Sequence, residues 1–265
     1  RLEALTSSKY ITFMERALPI TFSPERNTGA MYQANLGNSL SMQVGVFREG
    51  DSYGNDEESN NNINTTGRLT YLVMNSGNKL LHIGAAMSNR KNNDNTYAFS
   101  VRPENHLGNK LMVPSFTDVN ETDITGLEIA YVSGRLSLQG EYVMTTVSAE
   151  RQHELTGYYG QISYFLTGES RPYKNSYAGF SRVKPKTNYG PGKGAIELVA
   201  RVSQMNLTKA KMGILDDTTI GVNWYLNPYT RFMVNYIIAE LIEGDGSGEV
   251  GTTENSLQCR IQMDF

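Results

Sequence analysis

The last stretch of the chain, residues 255–265, alternates strictly between apolar and polar side chains. Every second position is apolar, and these residues are Leu257, Cys259, Ile261, Met263 and Phe265. Because successive side chains of a β-strand point to opposite faces, this pattern predicts a strand with one apolar and one polar face. The apolar face needs an apolar neighbour along its whole length. Either a second sheet or a lipid bilayer can supply that neighbour.

Further runs with the same two-residue period precede this segment. Each has roughly the length of a tilted strand that crosses a bilayer, about ten residues. The runs lie at 30–36, 39–48, 67–74, 79–90, 124–132, 134–147, 154–166, 194–205, 219–226 and 231–238. Together with the terminal segment they predict an all-β chain of about eleven antiparallel strands. We find no helical periodicity of useful length.

The hydrophobic residues are too dispersed for a helical membrane protein. The chain has 265 residues, and none of its apolar runs approaches the roughly 18 residues of a transmembrane helix. Its mean hydropathy of -0.42 does not distinguish a soluble protein from a membrane β-barrel, in which lipid-facing and lumen-facing residues average out. The strand pattern is therefore more informative than the hydropathy.

The composition also limits the chemistry available to the chain. A net charge of -3 argues against a general nucleic-acid binder, which needs a basic face. The single cysteine excludes an internal disulfide, and the His and Cys residues lack metal-ligand spacing. We recognise no nucleophile, base and acid in catalytic order and no phosphate-binding glycine loop. We therefore expect no cofactor, no metal and no enzymatic activity.

The connections between the predicted strands differ strongly in length. Outer-membrane barrels have short periplasmic turns and long extracellular loops, and a final aromatic residue such as Phe265 is similar to their assembly signal. If the terminal strand ends at the periplasmic side, four short turns fall on that side, at 37–38, 75–78, 133–134 and 227–228. Because successive strands alternate in direction, the same assignment of sides requires 91–123 to be one extracellular loop, although 97–101 is strand-like. It also requires 167–193 to be one long periplasmic connection.

The long connections carry charges of opposite sign. The connection 167–193 is basic, with Arg171, Lys174, Arg182, Lys184, Lys186 and Lys193. The predicted extracellular loops are acidic, with Glu49, Asp51, Asp56, Glu57, Glu58, Glu243, Asp245, Glu249 and Glu254. These acids either bind divalent cations that bridge lipopolysaccharide or keep the surface hydrated. Their negative charge does not attract anions to the mouth of a pore.

Several strings of the sequence resemble a known family. They are SSKYITFMERALP (7–19), FSPERNTG (22–29), YFLTGESRPY (164–173), GAIELVAR (194–201) and GVNWYLN (221–227). In this order and over the length of the chain, they resemble the phosphate-selective porins O and P.

The resemblance implies a homotrimeric, transmembrane antiparallel β-barrel of about sixteen strands, with about eleven of them present here. We therefore expect residues 1–265 to form a single barrel domain that lacks its N-terminal strands. It also implies that residues 1–29 are most of an inward constriction loop. The segments 91–123 and 167–193 are similar to two further connections that fold into the lumen.

The resemblance further implies a pore lined by arginine and lysine. The candidate anion-binding or pore-lining residues are Lys9, Arg16, Arg26, Arg102, Arg171, Lys174, Arg182, Lys184 and Arg201. Arg suits phosphate because its planar fork offers parallel donors to two oxygens. The alternatives are structural ion pairs, for example of Arg16 with Glu15 and of Arg26 with Glu25, or a solvated periplasmic turn. Arg260 points inward too, and we expect it to pair with Asp264.

From these observations we expect an outer-membrane porin of a Gram-negative bacterium. It would admit phosphate, pyrophosphate or similar small anions by passive diffusion, with contacts to the lipid bilayer and lipopolysaccharide and none to nucleic acid. A weakly selective general porin is one alternative, and a barrel that serves as a scaffold for outer-membrane lipoproteins or complexes is another. A soluble β-sandwich would require the apolar strand faces to meet each other instead of lipid.

Overall fold

The computed structural model describes residues 1–24, 26–49, 62–91, 95–243 and 251–264. Two residues used above, Glu25 and Phe265, lie outside the described residues. The same holds for most of the predicted acidic loop residues, namely Asp51, Asp56, Glu57, Glu58, Asp245 and Glu249.

The described chain contains fifteen strands and very little helix. In chain order they are β1 (Thr28–Leu36), β2 (Leu40–Arg48), β3 (Asn64–Ser76), β4 (Lys79–Arg90), β5 (Tyr97–Ala98), β6 (Ser115–Phe116), β7 (Glu121–Ser133), β8 (Leu136–Ser148), β9 (Gln152–Phe165), β10 (Tyr173–Lys174), β11 (Gly179–Phe180), β12 (Ala195–Asn206), β13 (Ile214–Asn227), β14 (Thr230–Glu243) and β15 (Thr252–Met263). The helical elements are α1 (Leu2–Leu5) and three 3₁₀ segments, Leu18–Phe22, Asn175–Tyr177 and Thr208–Ala210. None of them is long and apolar enough to span a membrane.

Eleven strands form one antiparallel sheet in the order β1-β2-β3-β4-β7-β8-β9-β12-β13-β14-β15. Each strand therefore pairs with the next long strand in the sequence, as in an up-and-down barrel wall. This confirms all eleven predicted strands. Within the described residues, β1 and β15 are the two edges of the sheet.

The four remaining strands are short and lie outside the main sheet. β5 pairs with β6, and β10 pairs with β11. β4 pairs directly with β7, and β9 pairs directly with β12. The prediction that 91–123 and 167–193 are single connections, in spite of the strand-like segment near Tyr97, is therefore confirmed.

Short turns join the strands at one end of the sheet. Gly37, Gly77 and Gly134 sit in three of these turns with φ angles of 66°, 61° and 56°. This left-handed conformation is readily adopted by glycine and costs energy for most other residues. The predicted turn positions are therefore correct. We call this side of the sheet the turn end, and the opposite side the long-loop end.

The two faces of the sheet differ in the way that the alternation predicts. On the outer face, large apolar side chains remain exposed, with Leu198 at 43%, Ile220 at 54% and Leu257 at 68%. On the inner face, polar side chains such as Glu197 and Asn223 are buried. A soluble protein shows the reverse pattern, whereas a membrane barrel presents its apolar face to lipid.

Three segments pack against the inner face and bury it. They are the N-terminal segment (residues 1–24), the upper segment (95–120, which contains β5 and β6) and the lower segment (166–194, which contains β10 and β11). The largest apolar cluster joins Leu18 and Phe22 of the first to Val101 and Phe116 of the second. This cluster also includes inward side chains of the wall, among them Val143, Leu155, Met205 and Leu215.

Candidate functional site

The N-terminal segment is held by wall side chains that donate to its backbone. Arg231 Nη1 donates to the carbonyl of Ile11 (2.8 Å), and Arg260 Nη1 donates to the carbonyl of Met14 (2.9 Å). Asn223 Nδ2 donates to the carbonyl of Thr12 (2.8 Å). A segment without strand partners must satisfy its backbone groups in another way. The polar inner wall provides these partners and positions the segment inside the sheet.

The upper segment is anchored by a buried ion pair. Glu104 is 4% exposed, and its Oε2 accepts hydrogen bonds from Arg201 Nε (2.9 Å) and from Thr219 Oγ1 (2.7 Å). Arg201 is also within 3.3 Å of Glu3 Oε1, and it donates from Nη2 to the carbonyl of Glu15 (3.0 Å). Arg201 therefore connects the upper segment, the N-terminal segment and the wall.

Glu3 lies in α1 with its carboxyl group fully enclosed. Burial raises the pKa of Glu3 to about 7, although the positive charge of Arg201 opposes this shift. The Glu3 carboxyl is thus partly protonated near neutral pH. Glu104 is consequently the principal counter-charge of Arg201.

The lower segment is anchored to inward side chains of β3 and β4. Arg68 Nη2 donates to the carbonyl of Ala178 (2.9 Å), and Tyr173 Oη lies 2.8 Å from His82 Nδ1. Both Arg68 and His82 also contact the buried carboxylate of Glu128, with His82 Nε2 2.8 Å from its Oε1. A charged cluster of the wall thereby positions the β10–β11 hairpin.

A cavity of about 1270 Å³ remains between the N-terminal segment, the upper segment and the wall. Among the residues that line it are five arginines and three glutamates, so arginines exceed glutamates by two. The arginines are Arg16, Arg26, Arg90, Arg102 and Arg260, and the glutamates are Glu15, Glu49 and Glu104. Residues 26–27 and 49 lie at the long-loop end of β1 and β2, whereas Arg260 lies near the turn end of β15, so the cavity extends from the long-loop end along the wall.

Two of these arginines face a carboxylate. Arg260 Nη2 lies 3.3 Å from Glu15 Oε1, and Arg90 Nη2 lies 3.4 Å from Glu49 Oε1. The third glutamate, Glu104, is already engaged by Arg201.

The other three cavity arginines have no carboxylate within ion-pair distance in the described part of the chain. Arg16 donates to the carbonyls of Glu3 (3.2 Å) and Thr6 (3.0 Å). Arg26 is exposed, and Arg102 Nε is buried without a hydrogen-bond partner. Guanidinium groups without counter-charges leave a positive potential in a cavity with low-dielectric walls.

A family model described as "Phosphate-selective porin O and P" matches residues 2–265. The chain belongs to this family. Porin O of Pseudomonas aeruginosa is 27% identical over 90% of this chain and 62% of its own length. A protein of Caulobacter vibrioides is 29% identical over 100% of this chain and 57% of its own length. The chain thus spans less than two thirds of the length of these relatives.

Membership of this porin family agrees with the predicted class of fold. It places the chain in a family of outer-membrane porins of the Gram-negative type, and the antiparallel sheet with its exposed apolar face has the properties of a membrane-barrel wall. A membrane barrel exposes apolar side chains to lipid, so the exposed outer face needs no covering layer of protein.

The structure distributes the predicted site residues of the porin over several environments. Arg16, Arg26 and Arg102 come together at the cavity, while Lys174 and Lys184 are exposed on the lower segment. Arg171 and Arg201 are buried, at 6% and 2% exposure. Arg171 Nη1 donates to Gln139 Oε1 (2.8 Å) and its guanidinium lies 3.7 Å from the Phe180 ring centroid. Burial lowers the pKa of Arg171.

Lys9 and Arg182 lie at a small cavity of about 20 Å³ near the turn end of the porin wall. Arg182 forms an ion pair with Asp264 and donates from Nη1 to the carbonyl of Pro228 (2.6 Å). Its guanidinium also lies 4.7 Å from the ring centroid of Tyr229. Lys9 is exposed and has no ion pair with another described residue.

Sequence reasoning missed Arg90 as a cavity residue and assigned Arg260 to another partner. Both arginines occupy inward positions, in β4 and β15, and the alternation of the strands predicts these positions. The expected pair of Arg260 with Asp264 is wrong, because Arg260 pairs with Glu15 and Asp264 pairs with Arg182. Glu15 consequently does not pair with its sequence neighbour Arg16.

The described residues contain no group of three or more His, Cys, Asp or Glu side chains that could hold a metal ion. His82, the one histidine that is fully buried, contacts Glu128 and Tyr173 instead.

Proposed function

We propose that this porin is a passive channel for phosphate or similar small anions, and that the cavity between the N-terminal segment, the upper segment and the wall is part of its anion path. The observation that carries this proposal is the group formed by Arg16, Arg26 and Arg102. These guanidinium groups line one cavity, and no described carboxylate lies within ion-pair distance of them.

The proposal follows from what an anion needs in a narrow pore. Phosphate loses part of its hydration shell there, and fixed donors must replace that shell without preventing release. A guanidinium group offers two parallel N–H donors to phosphate oxygens, and several such groups allow the anion to pass from one to the next. Arg16, Arg26 and Arg102 supply three such groups in one cavity.

We further propose different roles for the predicted site residues. Arg16, Arg26 and Arg102 would contact the anion in the cavity, and Lys9 with Arg182 would do so near the turn end. Lys174 and Lys184 would extend the positive potential along the lower segment. Arg171 and Arg201 would act indirectly, because their guanidinium groups are buried against Gln139 and Glu104.

The proposed partners are small anions, including phosphate and pyrophosphate, together with the lipid bilayer and lipopolysaccharide. The exposed apolar side chains of the outer face support the contact with lipid. We also propose a homotrimer, as the family resemblance implies, and native mass spectrometry in detergent tests this state.

Conductance in planar bilayers tests the proposed function. The protein purified from outer membranes is expected to pass anions in preference to cations, with a conductance that saturates as the phosphate concentration rises. The double variant R26Q/R102Q should raise the half-saturating phosphate concentration by roughly tenfold, because two charged donors worth about 1 kcal/mol or less each are lost. The variant R151Q is the matched control, since Arg151 is exposed and does not line the cavity.

The alternatives predict other outcomes of the same measurement. A weakly selective general porin would conduct without saturation, and R26Q/R102Q would change only its ion preference. A scaffold barrel with its lumen filled by the three inner segments would show little conductance and would co-purify with another protein. A channel that prefers cations would exclude the proposal.

A further inference from the structure

We propose that Glu15 is a counter-ion built into the anion path, which competes with the passing anion for Arg260 and thereby weakens anion binding. This inference rests on the proposed function, because it concerns the same cavity. In this role, an acidic residue keeps a strongly cationic site from binding the anion too tightly to release it.

The geometry places the pair of Glu15 and Arg260 where an anion can reach it. Both residues line the cavity, and Glu15 Oε1 lies 3.3 Å from Arg260 Nη2. Their side chains are 29% and 37% exposed, respectively. A partly exposed pair is held by about 1 kcal/mol or less, so an incoming phosphate can replace the carboxylate at the guanidinium group.

The ion pair of Arg201 and Glu104, which lies at the same wall, is purely structural and serves as a comparison. Both of its side chains are 1% exposed, and Glu104 accepts a further hydrogen bond from Thr219 Oγ1. Although Glu104 is among the cavity-lining residues, its carboxylate is enclosed, and an anion cannot reach this pair without displacing the inner segments. Accessibility therefore distinguishes Glu15 from Glu104, although both carboxylates face an arginine of the wall.

The backbone around Glu15 is held in place without the Glu15 carboxylate. The carbonyl of Glu15 accepts from Arg201 Nη2 (3.0 Å), and the next residue, Arg16, donates to the carbonyls of Glu3 and Thr6. Arg260 is likewise held by the carbonyl of Met14, at 2.9 Å from its Nη1. Neutralising the carboxylate therefore leaves both the segment and the guanidinium group in position.

The charge balance explains why such a counter-ion is useful. The cavity has two more arginines than glutamates among its lining residues, and loss of one glutamate charge raises this difference to three. Tighter binding of the anion slows its release, and a channel requires a site that is favourable to enter and easy to leave. The Glu15 carboxylate competes with the anion for Arg260. When the anion leaves, the carboxylate pairs with Arg260 again and neutralises its charge.

The variant E15Q tests this inference, with conductance measured against phosphate concentration in planar bilayers. The half-saturating phosphate concentration should fall by roughly two- to fivefold, as expected from loss of one exposed charge pair, and the maximal conductance should fall with it. E15D should resemble the wild type because it keeps the charge. The control E154Q removes the same charge from an exposed position of β9 outside the cavity and should change neither quantity.

The direction of the change separates this role from a structural one. A variant whose inner segment is misplaced would bind phosphate more weakly, so an unchanged or raised half-saturating concentration for E15Q would overturn the inference. R260Q should have the opposite effect to E15Q and raise that concentration. If the wild type itself shows no preference for anions, the proposed function fails. If the wild type prefers anions but E15Q does not lower the half-saturating phosphate concentration, the inference about Glu15 fails and the proposed function stands.

Discussion

Arg201 and Arg260 both point inward from the wall of this porin and both contact Glu15, yet they lie in very different environments. Arg201 donates to the Glu15 carbonyl and is paired with Glu104 in a site with 1% exposure. Arg260 faces the Glu15 carboxylate with 37% of its side chain exposed. An inward position therefore does not by itself make a pore residue. In the proposed function, accessibility from the lumen decides whether an arginine stabilises the wall or contacts the anion.

The largest effect on stability is expected for R201Q. This change leaves Glu104 buried without its counter-charge, and breaking a buried pair in this way costs about 3–5 kcal/mol. Urea-induced unfolding of the detergent-solubilised protein, followed by the change in gel mobility, measures the loss. A stability equal to that of the wild type would show that the distinction between buried and accessible arginines is wrong.

A smaller loss, of about 2–3 kcal/mol, is expected for R68Q. Arg68 also contacts a buried carboxylate, but His82 Nε2 lies 2.8 Å from Glu128 Oε1 and keeps this contact when the guanidinium group is lost. Urea-induced unfolding of R68Q under the conditions used for R201Q measures the difference. A loss of stability as large as that of R201Q would contradict this compensation.

For E3Q we expect a loss of about 1 kcal/mol or less. Burial raises the pKa of Glu3 to about 7, so its carboxyl is partly neutral near pH 7 and a neutral amide is a close replacement. The matched variant is E104Q, which removes the principal counter-charge of Arg201 and should be clearly less stable. Unfolding both variants under the same conditions compares them. Equal losses would mean that the two carboxylates share the charge of Arg201.

The smallest effect on stability is expected for R260Q, at most about 1 kcal/mol, since exposed ion pairs contribute little. Its effect should appear in conductance instead, as a higher half-saturating phosphate concentration. R201Q and R260Q thus form a matched pair in which one change affects folding and the other affects transport. A large loss of stability for R260Q would show that Arg260 stabilises the fold as the buried arginines do.

The sequence predicted most of the fold because the two-residue period of a strand is a local property. The eleven runs, the turns at Gly37 and Gly134, and the two long connections could all be found from it. The same period showed that Arg201 and Arg260 face inward. The family resemblance then predicted which segments fold inward, including the one that carries Arg16.

The partners of these side chains could not be found in the same way. Asp264 was the nearest acid in the sequence to Arg260, but the partner is Glu15, 245 positions away. Arg201 and Glu104 are 97 positions apart, in segments that meet only inside the folded sheet.

By itself, the sequence determined that this chain forms an antiparallel sheet with one apolar and one polar face, since alternation along one strand is enough to specify both faces. Only the tertiary structure decided which interior arginines are neutralised and which remain accessible. That outcome depends on the paths of the N-terminal segment and the upper segment across the wall. Such long-range contacts bring a carboxylate to Arg201 and Arg260, while Arg26 and Arg102 line the same cavity without one among the described residues.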